Sequence, residues 1–122
     1  MQLINSDIFN ILNSLSLLKQ HIINNYFKDN TSNIPVGYVD AYYEFRDRPN
    51  ITNACDVILA NCYPFWEGCA LPYATLYMQD MYRRVQKVAN GKRVIISETG
   101  WASSGGNFYG AETSLQSAHL YF

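Results

Sequence analysis

The chain has no surplus of charge: nine lysines and arginines stand against ten aspartates and glutamates, a net of −1 over 122 residues. A nucleic-acid partner is therefore not expected, because such proteins carry a basic stripe or patch. No apolar run approaches the roughly eighteen residues of a membrane span, so no membrane segment is expected. Met1-Gln2-Leu3-Ile4-Asn5 has neither the basic nor the apolar part of a signal peptide, and localisation is left unknown. The glycine-rich strand-to-helix turn that cradles phosphate, the nucleophile elbow and a Ser/His/Asp arrangement are all missing. Cys55, Cys62 and Cys69 lie seven apart, which matches none of the close-paired zinc spacings. No metal and no cofactor is expected. Cys62 reads as an inert strand residue and Cys69 as a loop residue, with a disulfide left open. His21 and His119 fall in helical patterns and read as surface or packing residues. Internal repeats, low-complexity tracts and linkers are also missing.

Aromatic side chains are plentiful: 15% of the residues, ten of them tyrosine. The hydrophobic spacing predicts a helix over residues 6–28, with Ile8, Ile11, Leu12, Leu15, Leu18, Ile22, Ile23 and Tyr26 on one face. Ser6 or Asp7 is its candidate cap. A polar connector over 28–33 leads to a strand from Ile34 to Val39. Arg48-Pro49-Asn50 opens a short turn or helix before a second strand, Asp56 to Cys62. A helix is predicted from Tyr73 to Asn90, with Ala74, Tyr77, Met78, Met81, Val85 and Val88 buried. Asn90-Gly91 is its stop signal. A third strand runs from Lys92 to Ser97, followed by a small-residue loop and a helix from Ala111. Asn30-Thr31-Ser32 and Asn50-Ile51-Thr52 fit a glycosylation acceptor pattern, read as chance in an asparagine-rich chain.

The ends of the three strands carry the chemistry. Val94-Ile95-Ile96 is a β-branched run of buried parallel-strand type. It delivers Glu98, then Gly100 and Trp101, with no neighbouring cation in sequence. The second strand closes in Tyr63-Pro64-Phe65-Trp66-Glu67-Gly68, and the first in Asp40-Ala41-Tyr42-Tyr43-Glu44. Glu98 with Thr99 could equally begin a helix, where an acid complements the dipole. Three strand ends that each combine a carboxylate with aromatics also suit a carbohydrate-cleaving cleft. Sugar rings have apolar faces to stack on, and an acetal is broken by paired carboxyl groups.

Ile96-Ser97-Glu98-Thr99-Gly100-Trp101 resembles the nucleophile signature of family 17 glycoside hydrolases, the β-1,3-glucanase and glucan-transferase family. Val36-Gly37-Tyr38-Val39-Asp40-Ala41-Tyr42 resembles that family's strand-five block, and Asn61-Cys62-Tyr63-Pro64-Phe65-Trp66-Glu67-Gly68 its strand-six block. Gly105-Gly106-Asn107-Phe108-Tyr109-Gly110-Ala111 is similar to the loop after the nucleophile. Ala102 stands where the family usually has proline, which removes a fixed φ from the loop but leaves the carboxylate untouched.

The resemblance implies an α/β fold of (β/α)8 type and a retaining glycosidase acting on β-1,3-glucan, by hydrolysis or transfer. A closed barrel needs about 200 residues or more. The chain is therefore expected to be a partial barrel of about three parallel strands with flanking helices, residues 1–122 forming a fragment of one catalytic domain. Leu120-Tyr121-Phe122, inside an apolar helical pattern, points the same way. Glu98 is expected as nucleophile, with the acid/base residue absent from the chain. Asp40, Tyr63, Trp66, Glu67 and Trp101 are expected to bind polysaccharide: Tyr63 through a hydrogen bond to Glu98, Trp66 and Trp101 as stacking platforms. By the same resemblance the intact protein is expected to be secreted or at the cell wall. A non-catalytic glucan-binding protein of the same fold is one alternative. A small flavodoxin-like domain is another, which the missing glycine-rich turn disfavours.

Overall fold

In a computed structural model of the chain, residues 2–27 and 33–122 are described, with side chains over 10–25 and 33–122. The first acceptor tripeptide, most of the 28–33 connector, and the Ile8 and Tyr26 side chains lie outside them. Helix α1 spans Gln2–His21 and continues as a π-helical segment, Ile22–Phe27. Strand β1 (Gly37–Ala41) is followed by two short helices, α2 (Glu44–Asp47) and α3 (Pro49–Ala54). Strand β2 (Val57–Asn61) leads through 3-10 turns at Pro64–Glu67 and Leu71–Tyr73 into α4 (Ala74–Val88). Strand β3 (Arg93–Glu98) and helix α5 (Leu115–Tyr121) complete the order.

The strands form one parallel sheet in the order β1-β2-β3. Paired residues in parallel strands share a face, and successive residues alternate. Ile58, Ala60 and Cys62 turn to the helix layer and are wholly buried there with Phe45, Ile51, Met81, Val85 and Val94. The other face carries Val39, Leu59 and Ile95, of which Val39 is exposed. The parallel α/β expectation is met, with helices against one face of the sheet.

Several boundaries differ from the sequence reading, each for a local reason. Strand β1 starts at Gly37, not Ile34. Pro35 has no N–H to give a ladder, and Val36 is tied to Asp56 instead, its N–H donating to Oδ2 at 2.9 Å. At its other end β1 runs past Val39 to include Asp40 and Ala41, which pair with Ala60 and Asn61. Helix α1 is already under way from Gln2, so Ser6 and Asp7 are not its cap. Its predicted buried face is met at Ile23, which is buried in the core, but not at Ile11, Leu12, Leu15, Leu18 and Ile22, which are exposed, while Ser16 is buried. The helix docks on α3 through polar groups, the Ser16 hydroxyl donating to Asn50 Oδ1 at 2.7 Å and Asn50 Nδ2 to the Ser16 carbonyl at 3.1 Å. Helix α5 starts at Leu115, not Ala111, because Ser114 caps it by accepting from Ser117 N at 2.9 Å. Ala111 is held in a bridge to Phe108.

Helix α4 is the clearest agreement. Ala74, Met81 and Val85 are its buried stripe. Asn90 and Gly91, both at positive φ (53° and 79°), stop it. No disulfide joins the three cysteines, and burial pushes the Cys62 thiol up to about 11.

Ile58 is the best probe of this core, wholly buried in the central strand. Ile58→Ala is expected to lower unfolding stability by about 2–5 kcal/mol. Chemical denaturation of the intact protein should show the midpoint falling while the denaturant slope stays constant.

Candidate active site

Glu98 is the last residue of β3, and Tyr63 lies just past the end of β2. Adjacent parallel strands ending at the same height bring the two together, and the Tyr63 hydroxyl donates to Glu98 Oε2 at 3.0 Å. That is the hydrogen bond expected from sequence. Donation to a carboxylate, followed by burial, raises the Tyr63 phenol above its ordinary value and keeps it a neutral donor. A Cβ on Gly100 would lie 3.4 Å from Cε1 of Tyr63, so the backbone after Glu98 passes the phenol ring at contact distance.

Two open hollows flank Tyr63 and Trp66, which line both. One, of about 340 Å³, is completed by Asp40, Ala41, Tyr42, Tyr43, Asn61 and Glu67. The other, of about 330 Å³, is completed by Phe65, Thr99, Gly100, Trp101 and Ala102. Glu98 lines neither directly but stands beside both through its bond to Tyr63.

The two tryptophans differ. Trp66 is 61% exposed, its ring supported edge-on by Phe65 at 4.9 Å and Phe108 at 5.5 Å. Trp101 is 7% exposed, packed against Phe65 and Tyr121 at 5.4 Å each, its Nε1 donating to the Glu112 carbonyl at 2.8 Å. The expectation of an open stacking platform at Trp101 is therefore corrected: its packing against Phe65 and Tyr121 leaves little of the ring exposed, at the rim of the second hollow.

The carboxylates also separate. Asp40 sits on the β1 residue parity that faces the helices. Its oxygens accept from Tyr38 Oη at 3.0 Å, Lys19 Nζ at 3.3 Å and Ala41 N at 2.8 Å. Although it lines the first hollow, it is already engaged by its own fold. Glu44 is paired with Arg48 at 3.1 Å. Glu67 is exposed at the mouth of the first hollow, beside the buried Tyr42. Burial first and then the charge of Glu67 push the Tyr42 phenol from 10.0 up to about 12.

The loops after β2 and β3 are clasped. Gly110 N donates to the Gly68 carbonyl at 3.1 Å, and a Cβ at Gly110 would meet that oxygen at 2.8 Å. Thr99 and Tyr121 share a short hydroxyl–hydroxyl hydrogen bond that ties α5 to the Glu98 loop. Sequence reasoning placed Tyr42 and Asn61 at strand ends without giving either a role, and it did not bring Tyr121 into this region. For Asn61 a signal existed, since it ends the second strand as Glu98 ends the third. Among the described residues no group of three or more His, Cys, Asp or Glu side chains could hold a metal ion.

Residues 6–122 match the family model described as the BtgE/BtgC glycoside hydrolase domain. The chain belongs to this glycoside hydrolase family. It is 33% identical over 88 residues to "Probable glucan endo-1,3-beta-glucosidase btgC" of Aspergillus terreus, covering 70% of this chain and 13% of that protein. It is 30% identical over 96 residues to "Probable glucan endo-1,3-beta-glucosidase eglC" of Aspergillus fumigatus, covering 75% of this chain and 22% of that one. Among solved structures it resembles an active-site mutant of Rhizomucor miehei β-1,3-glucanosyltransferase in complex with laminaritriose. That likeness has a TM-score of 0.77 at 30% identity and covers 87% of this chain and 40% of the other. The family 17 β-1,3-glucanosyltransferase of the same organism gives a TM-score of 0.73 at 32% identity over 84% of this chain, again 40% of the other. The family 17 resemblance and the partial (β/α)8 barrel read from the sequence are borne out. The chain spans well under half the length of each of these relatives.

The raised Tyr42 phenol has a consequence for the fold. The folded state holds the neutral form, so this contribution is fully present below the ordinary 10.0 and is lost as pH rises through about 12. Tyr42→Phe should flatten the fall of melting temperature across that alkaline window. An unchanged alkaline slope would contradict the burial of this hydroxyl in the native state.

Proposed function

We propose that residues 1–122 are part of a larger (β/α)8 catalytic domain, a retaining glycosidase acting on β-1,3-glucan, with Glu98 as its nucleophile. The observation that supports this most is the Tyr63–Glu98 hydrogen bond at adjoining parallel strand ends, beside the exposed Trp66. Strand C-terminal ends are where barrel enzymes gather catalytic groups. The family match spans all these residues.

In this reading Glu98 attacks the anomeric carbon as the bond to the leaving oxygen breaks. A second carboxylic acid, about 5–5.5 Å away in retaining enzymes, protonates that oxygen. The family resemblance puts this acid outside the present 122 residues, so these residues alone are inactive. The resulting glycosyl ester is released by water or by another sugar's hydroxyl, activated by the same acid now acting as base. Tyr63 holds one oxygen of Glu98 and leaves the other for attack. Trp66 offers its face to a sugar ring, and Glu67 accepts from sugar hydroxyls across the first hollow. Trp101 anchors the Glu98 loop and adds a rim contact, and Asp40 shapes the hollow wall. Among the described residues no helix is long and apolar enough to cross a membrane. A secreted or wall-associated place for the intact protein suits a polymeric glucan.

Transfer is the second reading, favoured by the glucanosyltransferase neighbours. Both outcomes share the glycosyl ester and differ only in the acceptor. Products longer than the starting laminari-oligosaccharide would identify transfer.

The intact protein assayed on laminarin tests the assignment. Glu98→Gln is expected to lose turnover by orders of magnitude while still binding laminarin; near-normal rates would sink the nucleophile assignment. Tyr63→Phe removes a hydrogen bond to a charged group and should cost about 1.5–3 kcal/mol of transition-state stabilisation. Trp66→Ala should weaken laminarin binding by roughly 1 kcal/mol. Unchanged affinity would remove Trp66 from the sugar site.

A further inference from the structure

The β2–β3 pairing is regular from Val57↔Arg93 through Ala60↔Ile96, then skips Ser97 and matches Asn61 with Glu98. Matched residues share a face, so this skip decides which way Glu98 points. Ile58, Ala60 and Cys62 lie on the buried helix-side face, and Val94 and Ile96 pack with them. Unbroken alternation along Val94, Ile96 and Glu98 would carry the carboxylate onto that same apolar face, level with Cys62. A carboxylate placed there without a cation would be strongly unfavourable. The skipped residue moves Glu98 to the face of Asn61, which lines the first hollow, and Glu98 is exposed.

Ser97 is thus the extra residue of a β-bulge, a device that re-aims a side chain. Its hydroxyl donates to Asn61 Oδ1 at 2.8 Å across the two strands. The backbone is fastened on both sides of this contact. Cys62 N donates to the Glu98 carbonyl at 2.9 Å, and Tyr42 N to the Asn61 carbonyl at 3.1 Å.

We infer that Ser97 and Asn61 are positioning residues: their side-chain hydrogen bond holds the β-bulge that turns Glu98 from the buried face of the sheet to the face of Asn61. Its effect on rate rests on the reading of Glu98 as nucleophile; the bulge itself does not. Neither residue needs to touch the substrate for this role.

The test uses Ser97→Ala, Asn61→Ala, the double variant and Ser97→Thr in the intact enzyme, with two readouts. On laminarin, kcat is expected to fall about 100-fold in each single variant, the scale of a small misplacement of a reacting group, while KM changes little. The double variant should be no worse than either single one, because the two residues act through one bond. Ser97→Thr, which keeps the hydroxyl, should restore the rate. The second readout is amide hydrogen exchange at Cys62, whose N–H is bonded across the bulge, and Ser97→Ala should accelerate it. Unchanged kcat, or a raised KM at constant kcat, would overturn the positioning role, the latter by making Asn61 a substrate contact. Unchanged exchange at Cys62 would overturn the bulge as the thing held. If Glu98→Gln stays active while exchange still responds to Ser97→Ala, the nucleophile reading fails and the bulge stands.

Discussion

Strand β2 is hydrogen-bonded to β1 along one edge and to β3 along the other, and its register sets the height at which both neighbours end. Everything of chemical interest follows from that double pairing. Because β2 and β3 end together, residues just beyond them are forced into contact, and Tyr63 meets Glu98 although 35 positions separate them. Because one face of β2 is sealed by Ile58, Ala60 and Cys62, polar groups are driven to the other face or to the strand tips. The aromatic loops then close over the tips, with Phe65 as the shared neighbour of Trp66, Trp101 and Phe108.

Much of this was legible in the sequence, and the part that was not has physical causes. Apolar runs locate all three strands, the β-branched Val94-Ile95-Ile96 most clearly. The Asn90-Gly91 stop locates the end of α4 because both residues tolerate positive φ. The pairing of Tyr63 with Glu98 could be read from strand neighbourhood alone. Helix α1 could not be read in the same way. Its apolar spacing announces a buried face, yet Ile11, Leu15 and Leu18 stay exposed; Ile23 reaches the core, and Ser16 and Asn50 make a polar contact. Periodicity reports that a face is apolar, not what covers it. Of the two short helices after β1, α3 was signalled by Arg48-Pro49-Asn50, while the four residues of α2 carry too little periodicity to register.

The carboxylates show how a fold sorts identical groups into different work. Asp40 receives donors from Tyr38, Lys19 and the backbone N–H of Ala41, and Glu44 receives Arg48. Their charge is used in holding β1 to α1 and α2 to the start of α3. Among the described residues Glu98 receives a neutral donor, Tyr63. A phenol can stabilise an anion while leaving its net charge in place. A lysine or arginine in the same position would cancel it. From sequence, all of these acids look alike at the ends of strands. What separates them is the partner each finds in space.

The same sorting applies to the tryptophans, and it bears on rigidity. Trp101 follows Glu98 by three residues, in a loop where Ala102 replaces the proline usual in this position of the family. A proline would have limited the loop through its fixed φ. Here Trp101 is held between Phe65 and Tyr121, with its indole N–H on the Glu112 carbonyl, and Thr99 is tied to Tyr121. Tertiary packing therefore supplies the constraint that the backbone does not. The indole that immobilises the loop is withdrawn from the surface by that task. Trp66, held only edge-on, keeps its face open. One aromatic ring cannot both fill a core and present a free face, so a site needing a rigid loop and a stacking surface must divide them between two residues.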